Sequence, residues 1–311
     1  MSVSAERRTA AGILLRVDAG AFASRLLASI SAAGVRTRVM TVLRWQRSLD
    51  AAIDRCLKKP RIDPEVRVVL RIALAEVVLI GVPAPVSGDG AVHLIRQMGK
   101  ARAAGLVNAI VRRSPGQWQE MMRDAAPDLR YSFPEWVWKR WKKNFGESAA
   151  ETAMHWSQQP ADLWVWFIEG EKDVEGIEAH PWLPGAYRAR SRILLPALRK
   201  RDAYAMDPAS QLVAHIGAGL GAGGDIVDLC AAPGGKAARI AADDTSCRVF
   251  AADLSPSRLR LGQRLFERSG VLHRLVSDAT QPALAREAFD LVILDAPCSG
   301  SGTFRRHPEL K

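Results

Sequence analysis

The last hundred residues alternate between short β-rich runs and segments of helical or turn character. The runs DIVDLC, RVFAADL, LHRLVSD and FDLVILDA are separated by KAARIAADD, SPSRLRLGQRLFERSG and QPALAREA, which suit helices or connecting turns. This βαβα order predicts a parallel sheet with right-handed crossovers. In such a sheet, ligands bind beyond the carboxyl ends of the strands. The residues that follow each run are therefore the candidates for a functional site.

The first run is followed by a glycine-containing loop. Two glycines allow the backbone to turn tightly and to approach a ligand, and the helix after them offers free N–H groups. A Walker phosphate loop would need glycine at Cys230 and Ser or Thr at Ala237, so that interpretation fails. The loop consists of Cys230, Ala231, Ala232, Pro233, Gly234, Gly235 and Lys236.

The next three runs each end at an aspartate. Asp253 is placed to accept hydrogen bonds from a ribose diol, and Asp278 would lie near an adenine edge. A nucleoside cofactor without phosphates therefore fits better than a dinucleotide. Asp295 ends the fourth run and is followed within the loop by Cys298. A thiol in this position indicates function, whereas we expect Cys230 to pack beneath the glycine loop.

The first part of the chain predicts a helical bundle. In PEVRVVLRIALAEVVLIG the apolar residues recur at helical spacing, with Pro64 at the start and Gly81 at the end. Similar patterns occupy residues 5–17, 38–58, 90–98 and 103–113, roughly, and no strand-like alternation lies between them. These segments predict an all-helical domain.

The net charge of +11 is concentrated in this helical part. Residues 1–130 hold 21 Lys and Arg against 11 Asp and Glu, whereas the remainder holds 23 against 22. A basic surface of this kind attracts polyanions, so nucleic acid is the natural partner. A solvated basic surface that only aids solubility is the alternative.

Residues 131–206 combine tryptophan with basic residues. RYSFPEWVWKRWKKNFGE can stack on bases and neutralise phosphates, although packing of the tryptophans between domains is the favoured interpretation. In YRARSR, an extended backbone would place Arg188, Arg190 and Arg192 on one face. That face suits a phosphate backbone, and a merely solvated strand face is the alternative.

Composition excludes several classes of protein. No segment approaches the apolar length of a membrane span, and the first twenty residues lack a secretory signal. The four cysteines have no paired spacing, which argues against disulfides and a zinc site, and Cys56 and Cys247 are expected to be structural. We expect a cytoplasmic monomer without a metal. His307 is interpreted as a loop residue with no catalytic role.

Several motifs together resemble a known family. DPASQ, DLCAAPGGK, AADLSPSRL, SDAT and DAPCSGSGTFRRHPE are similar to those of Sun/Fmu (RsmB-type) RNA cytosine-5 methyltransferases, and GLVNAIVRR with the preceding apolar helix resembles the NusB-type RNA-binding domain. The resemblance implies a multidomain fold: an all-α NusB-like bundle (1–130), a small linking α/β segment (131–206) that contacts RNA, and a Rossmann-like methyltransferase domain (207–311), incomplete at its C-terminus.

The resemblance also implies a chemistry. These enzymes use S-adenosylmethionine to methylate carbon 5 of a cytosine in small-subunit ribosomal RNA. By resemblance, the loop 230–236 with Asp253, Asp278 and Asp295 binds the cofactor, and Cys298 matches a thiol that assists breakdown of the covalent adduct. The attacking cysteine of the family would fall beyond Lys311, so we expect this chain alone to be inactive.

Two departures and one alternative follow from the same comparison of motifs. LWVWF stands where the family has an Arg-Val-Asn motif, which puts an RNA contact in doubt, and Ala237 stands where threonine is usual. The alternative hypothesis is a non-catalytic RNA-binding or NusB-like regulatory module. In that hypothesis the α/β part is a remnant.

Overall fold

The computed structural model describes residues 1–58, 61–168, 175–190, 203–271 and 273–311. Contacts within the chain divide it into two compact units. The first unit comprises Met1–Pro160 with Gly300–Lys311, and the second comprises Ala161–Ser299. By expected role, the sequence divides into residues 1–130, 131–206 and 207–311. These three boundaries stay a prediction.

The described part of the first unit is helical, which confirms the predicted bundle. Its apolar faces form one large core. The helix predicted over residues 103–113 continues to Arg123, because buried Trp118 and Met121 extend its apolar face after Pro115. The helices are α1 (Val3–Asp18), α2 (Ala23–Leu27), α3 (Ala33–Asp54), α4 (Pro64–Ala75), α5 (Ala84–Gln97), α6 (Ala104–Arg123), α7 (Pro127–Arg130), α8 (Glu135–Phe145) and α9 (Glu147–Gln158).

A charged network lies inside this helical core. Glu76 begins a π-helical turn after α4 and is fully buried. Its carboxylate accepts hydrogen bonds from the guanidinium groups of Arg7 at 2.9 Å and Arg38 at 2.6 Å, and from the hydroxyl of Ser87 at 2.8 Å. Breaking a buried pair of this kind costs about 3–5 kcal/mol, because the remaining charge is left without a partner. The network therefore ties α1, α3 and α5 to the end of α4.

The segment after the Gly/Ser loop packs within the first unit. Phe304 is buried against Phe133, and the two ring centroids are 5.5 Å apart. The guanidinium of Arg305 lies 4.1 Å from the centroid of the Trp156 ring and donates a hydrogen bond to the Pro160 carbonyl at 2.7 Å. The aromatic residues of 131–160 thus form a core with residues that follow Cys298 in the sequence.

The second unit begins with a small antiparallel sheet. Its strand order is β2-β3-β1-β4, and LWVWF is the central strand β1. Trp166 is buried in β1, with the guanidinium of Arg239 5.3 Å from its ring centroid. The strands are β1 (Leu163–Phe167), β2 (Ile177–Ala179), β3 (Tyr187–Ala189) and β4 (Ala203–Ala205).

A parallel sheet of four strands forms the rest of the second unit and confirms the predicted fold class. Its order is β7-β6-β5-β8, with every neighbouring pair parallel. QPALAREA forms turns and bends. The strands are β5 (Asp225–Asp228), β6 (Arg248–Asp253), β7 (His273–Val276) and β8 (Leu291–Ile293). The helices are α10 (Pro208–Leu220), α11 (Gly235–Asp243), α12 (Pro256–Leu261) and α13 (Gln263–Ser269).

Candidate functional site

The carboxyl ends of the four parallel strands carry the residues that the sequence singled out. Because the strands are parallel and ordered β7-β6-β5-β8, Asp278, Asp253, the loop 230–236 and Asp295 follow one another along a single edge of the sheet. Two contacts join neighbours in this row. The N–H of Ala232 donates to Asp253 Oδ2 at 3.0 Å, and Lys236 Nζ lies 2.5 Å from Asp295 Oδ2.

The backbone of the glycine loop packs closely against neighbouring residues, among them Phe266. Gly234 has φ of 111°, and a Cβ built there would lie 2.0 Å from the ring of Phe266. A Cβ on Gly262 would lie 1.9 Å from the carbonyl oxygen of Pro233. Gly235 is different, because a Cβ there would meet nothing closer than the sulfur of Met206 at 3.7 Å. Gly234 is thus required by the fold, whereas a Cβ at Gly235, the first residue of α11, would make only an ordinary van der Waals contact.

Asp253 is buried and held in one orientation. Its Oδ2 accepts the N–H of Ala232, and its Oδ1 accepts the N–H of Ser255 at 2.9 Å. Each carboxylate oxygen has a second lone pair, so the side chain can still accept hydrogen bonds from a ribose diol. This arrangement fits the nucleoside role predicted for Asp253.

Asp278 lies in a turn after β7. Its Oδ1 accepts both the backbone N–H of Thr280 at 2.8 Å and the hydroxyl of Thr280 at 2.7 Å. These two hydrogen bonds, the backbone one foremost, hold the pKa of Asp278 below its usual range. Asp278 therefore presents a charged carboxylate at one end of the row.

Asp228 is a site residue that the sequence analysis did not select. It is the last residue of β5 and is almost fully buried. Burial raises the pKa of its carboxyl group to about 6, against the lowering effects of the Cys230 N–H and of Lys236. Nearby Asp295 and Asp253 raise the pKa further. The signal was available, because Asp228 is the first residue of the DLCAAPGGK motif.

The four cysteines differ in exposure. Cys298 is exposed, Cys230 is half-buried, and Cys56 and Cys247 are buried as expected. Burial, followed by the acidic neighbours Asp228 and Asp253, raises the pKa of the Cys230 thiol, so this thiol stays protonated at neutral pH. Among the described residues, Cys298 is therefore the one exposed thiol at the edge of the sheet.

The arginine-rich strand is neutralised in part by an acidic neighbour. Arg188 and Arg190 both contact Glu178, at 2.5 Å and 2.9 Å. Arg192, the third member of the predicted face, lies outside the described residues. The guanidinium groups of Arg188 and Arg190 thus have a carboxylate partner that the alternating pattern did not indicate.

The tryptophans fall into two groups. Trp166 is fully buried and Trp138 and Trp141 pack on a core cluster, in agreement with the packing interpretation. Trp136 and Trp182 are exposed to 68% and 66%. Packing therefore accounts for some of these side chains and not for all of them.

The described part of the chain shows neither a membrane-spanning helix nor a metal-binding cluster. No helix there has both the length and the apolar character to cross a bilayer. No cluster of three or more His, Cys, Asp or Glu side chains in the same ranges is arranged to hold a metal ion.

A parallel sheet with a glycine loop after its first strand and acidic residues after the next strands is typical of Rossmann-like nucleoside-binding domains. The family model described as 16S rRNA methyltransferase RsmB/F matches residues 221–311, and the model of the NusB family matches residues 4–114. The chain belongs to the ribosomal RNA small subunit methyltransferase B family.

Curated relatives support this assignment over most of the chain. The enzyme of Thermus thermophilus is 31% identical over 100% of this chain and 75% of its own length. The relatives from Xanthomonas campestris and Xylella fastidiosa are 29% and 31% identical over 86% of this chain, and the match covers 65% and 67% of their own lengths. All three are named ribosomal RNA small subunit methyltransferase B. The chain thus spans about two thirds of the length of the latter two.

A solved structure supports the fold. The protein described as PH0851 superposes with a TM-score of 0.73 at 19% identity, covering 100% of this chain and 78% of that one. Membership of a methyltransferase family confirms S-adenosylmethionine as the expected cofactor.

Proposed function

We propose that this chain binds S-adenosylmethionine at the carboxyl edge of its parallel sheet and serves the methylation of carbon 5 of a cytosine in small-subunit ribosomal RNA. One observation carries the proposal. The structure has a buried, oriented carboxylate at Asp253, a glycine without steric crowding at Gly235 and an exposed thiol at Cys298, all of them at or after the carboxyl ends of the parallel strands.

The residues of this edge suit the parts of the cofactor. In the proposal, Asp253 accepts hydrogen bonds from the ribose hydroxyls and Asp278 lies near the adenine. The N-terminus of α11, where Gly235 carries no side chain, receives the rest of the molecule. S-adenosylmethionine supplies a methyl group when it is bound.

The proposed target explains the Asp-Ala-Pro-Cys loop. Carbon 5 of cytosine is a poor nucleophile until a thiolate adds to carbon 6 and turns the ring into an enamine. The base must leave its stack to reach such a thiol. We assign Cys298 to the later step, in which the proton leaves carbon 5 and the adduct breaks down, and Asp295 to the neighbourhood of the flipped base.

If Cys298 acts in product release, a different thiol has to attack carbon 6. Cys56, Cys230 and Cys247 are buried or half-buried thiols with a raised pKa, so none of them is suited to attack carbon 6. The chain alone is then expected to bind cofactor and RNA with negligible turnover. This state would also match the alternative function, an RNA-binding module without catalysis.

Replacement of Asp253 by alanine tests the cofactor site. The Asp253→Ala variant should bind S-adenosylmethionine more weakly by about 1–3 kcal/mol, because buried hydroxyl groups lose their acceptor. Isothermal titration calorimetry measures the change. Asp225→Ala is the matched control, since Asp225 lies at the opposite end of β5, paired with Arg248. Equal affinities for wild type and Asp253→Ala would remove the proposed site.

The monomeric state, the absence of a bound metal and the cytoplasmic location stay predictions from the sequence. Partner RNA is proposed from family membership together with the basic helical unit.

A further inference from the structure

Helix α8 (Glu135–Phe145) turns one face into the first unit. Val137 is buried there, and Trp138 and Trp141 pack on the same cluster, which also contains Phe304. The apolar side of this amphipathic helix is therefore already occupied by the core of its own unit. Any function of α8 in binding belongs to its other face.

The outer face of α8 carries an exposed ring and two cations in line. Trp136, Arg140 and Lys143 are spaced four and three residues apart, so their side chains lie along one stripe of the helix surface. Trp136 is 68% exposed, which is unusual for the largest apolar side chain. Arg140 and Lys143 are exposed as well.

The cations of α8 differ in their partners. Lys139 pairs with Glu135 at 2.8 Å, and Lys142 pairs with Glu147 at 2.9 Å. Neither Arg140 nor Lys143 has an ion-pair partner among the residues that the structure describes. The stripe thus combines an uncovered aromatic face with two positive charges that no carboxylate of the described residues neutralises.

We propose that the stripe formed by Trp136, Arg140 and Lys143 binds a single-stranded segment of the RNA, with one base stacked on the Trp136 ring and adjacent phosphates on the two cations. The proposal rests on the proposed function and names its RNA contact. Aromatic rings that alternate with cations are the usual surface for single strands, because every base has a face for stacking and every nucleotide a phosphate.

The chemistry of the stripe favours RNA over a lipid surface. A helix that lies on a membrane needs a continuous apolar face free to enter the bilayer, and that face of α8 is filled by Trp138, Trp141 and their neighbours. The stripe itself offers one apolar side chain between charges. A polyanion that also carries flat rings matches both kinds of group.

Binding of a short, unstructured, fluorescently labelled RNA to the 311-residue chain tests the proposal by anisotropy. Trp136→Ala should weaken binding about tenfold, and Trp136→Phe should restore most of the affinity, because a ring remains for stacking. Arg140→Ala and Lys143→Ala should each weaken binding several-fold. Each should also reduce the slope of log affinity against log salt by about 0.7, the value for one phosphate contact on a single strand.

Lys142→Ala is the matched control for charge. It removes the same charge from the adjacent position, but its ammonium is held by Glu147 and lies 5.6 Å from the ring centroid of Trp138, away from the stripe. Its RNA affinity should stay close to that of the wild type. An equal loss in Lys142→Ala and Lys143→Ala would show that net charge alone matters and would overturn the proposal.

RNA binding by the wild type and by the stripe variants distinguishes a failure of the stripe from a failure of the proposed function. Wild-type affinity in both Trp136→Ala and Lys143→Ala would overturn the stripe while leaving RNA binding and cofactor binding in place. No RNA binding by the wild type would overturn the proposed RNA partner as well. Binding to phosphatidylserine vesicles that is lost in Trp136→Ala, with RNA binding unchanged, would assign the stripe to a membrane surface.

Discussion

The carboxyl group of Asp228 lies in the interior of the second unit, at the end of a strand where charge is costly. Its pKa is raised to about 6 by burial, from an ordinary value near 4. The folded state holds this proton more tightly than the unfolded state. The contribution of Asp228 to the free energy of unfolding is therefore fully present below about pH 4, and it is lost as the pH rises through 6.

Asp228→Asn should remove this pH dependence. The loss of stability that Asp228 causes in the wild type between about pH 4 and 6 amounts to about 2–3 kcal/mol, and the neutral amide should not show it. Hydrogen exchange of the β5 and β6 amides, corrected for the intrinsic rate at each pH, reports the stability of this unit. Parallel curves for the two proteins would mean that Asp228 is not responsible.

At the scale of elements, the loop between β5 and α11 shows two neighbouring glycines with different tasks. Gly234 has a positive φ and no room for a side chain above the ring of Phe266. A Cβ at Gly235 would make only an ordinary van der Waals contact, with the sulfur of Met206. The sequence predicted a tight turn and a close approach to a ligand at this pair of glycines. The positive φ of Gly234 fits the tight turn, and the approach to a ligand stays a prediction.

The two alanine variants separate packing from ligand approach. Gly234→Ala should lower the free energy of unfolding by about 2 kcal/mol or more, because it combines left-handed strain with a clash. Gly235→Ala should change stability by less than about 0.5 kcal/mol and yet weaken S-adenosylmethionine binding, since its methyl group would occupy the cofactor's space. Urea unfolding and calorimetry measure the two effects. Unchanged cofactor affinity in Gly235→Ala would place the cofactor elsewhere.

The role proposed for Cys298 can be tested on the whole 311-residue chain. RNA that contains 5-fluorocytosine traps an attacking thiol, because the fluorine cannot leave as a proton does. With S-adenosylmethionine present, the 311-residue chain should bind this RNA but form no covalent band on a denaturing gel. A band that disappears in Cys298→Ala and persists in Cys230→Ala would show that Cys298 is the attacking nucleophile.

Some of the basic side chains form ion pairs within the protein. Arg7 and Arg38 neutralise buried Glu76, and Arg71 pairs with Asp18 and Asp50. The 21 cations of residues 1–130 are therefore an upper limit to the number that an RNA can contact. A helix outside that range, α8, supplies two exposed cations that pair with no carboxylate in the part of the chain that the structure describes. Composition alone did not rank these two cations above the rest.

The periodicity of apolar residues determined the helical bundle and the alternation of strands with helices, because each element buries a face that repeats along its own stretch of chain. The motifs located the edge of the sheet where Asp253, Asp278 and Asp295 meet, since parallel strands end on one side. Only the tertiary structure showed that Arg188 and Arg190 share Glu178, that burial raises the pKa of Asp228, and that Phe304 completes the core beneath α8. These features depend on contacts and desolvation between residues far apart in the chain, which a pattern along the sequence does not record.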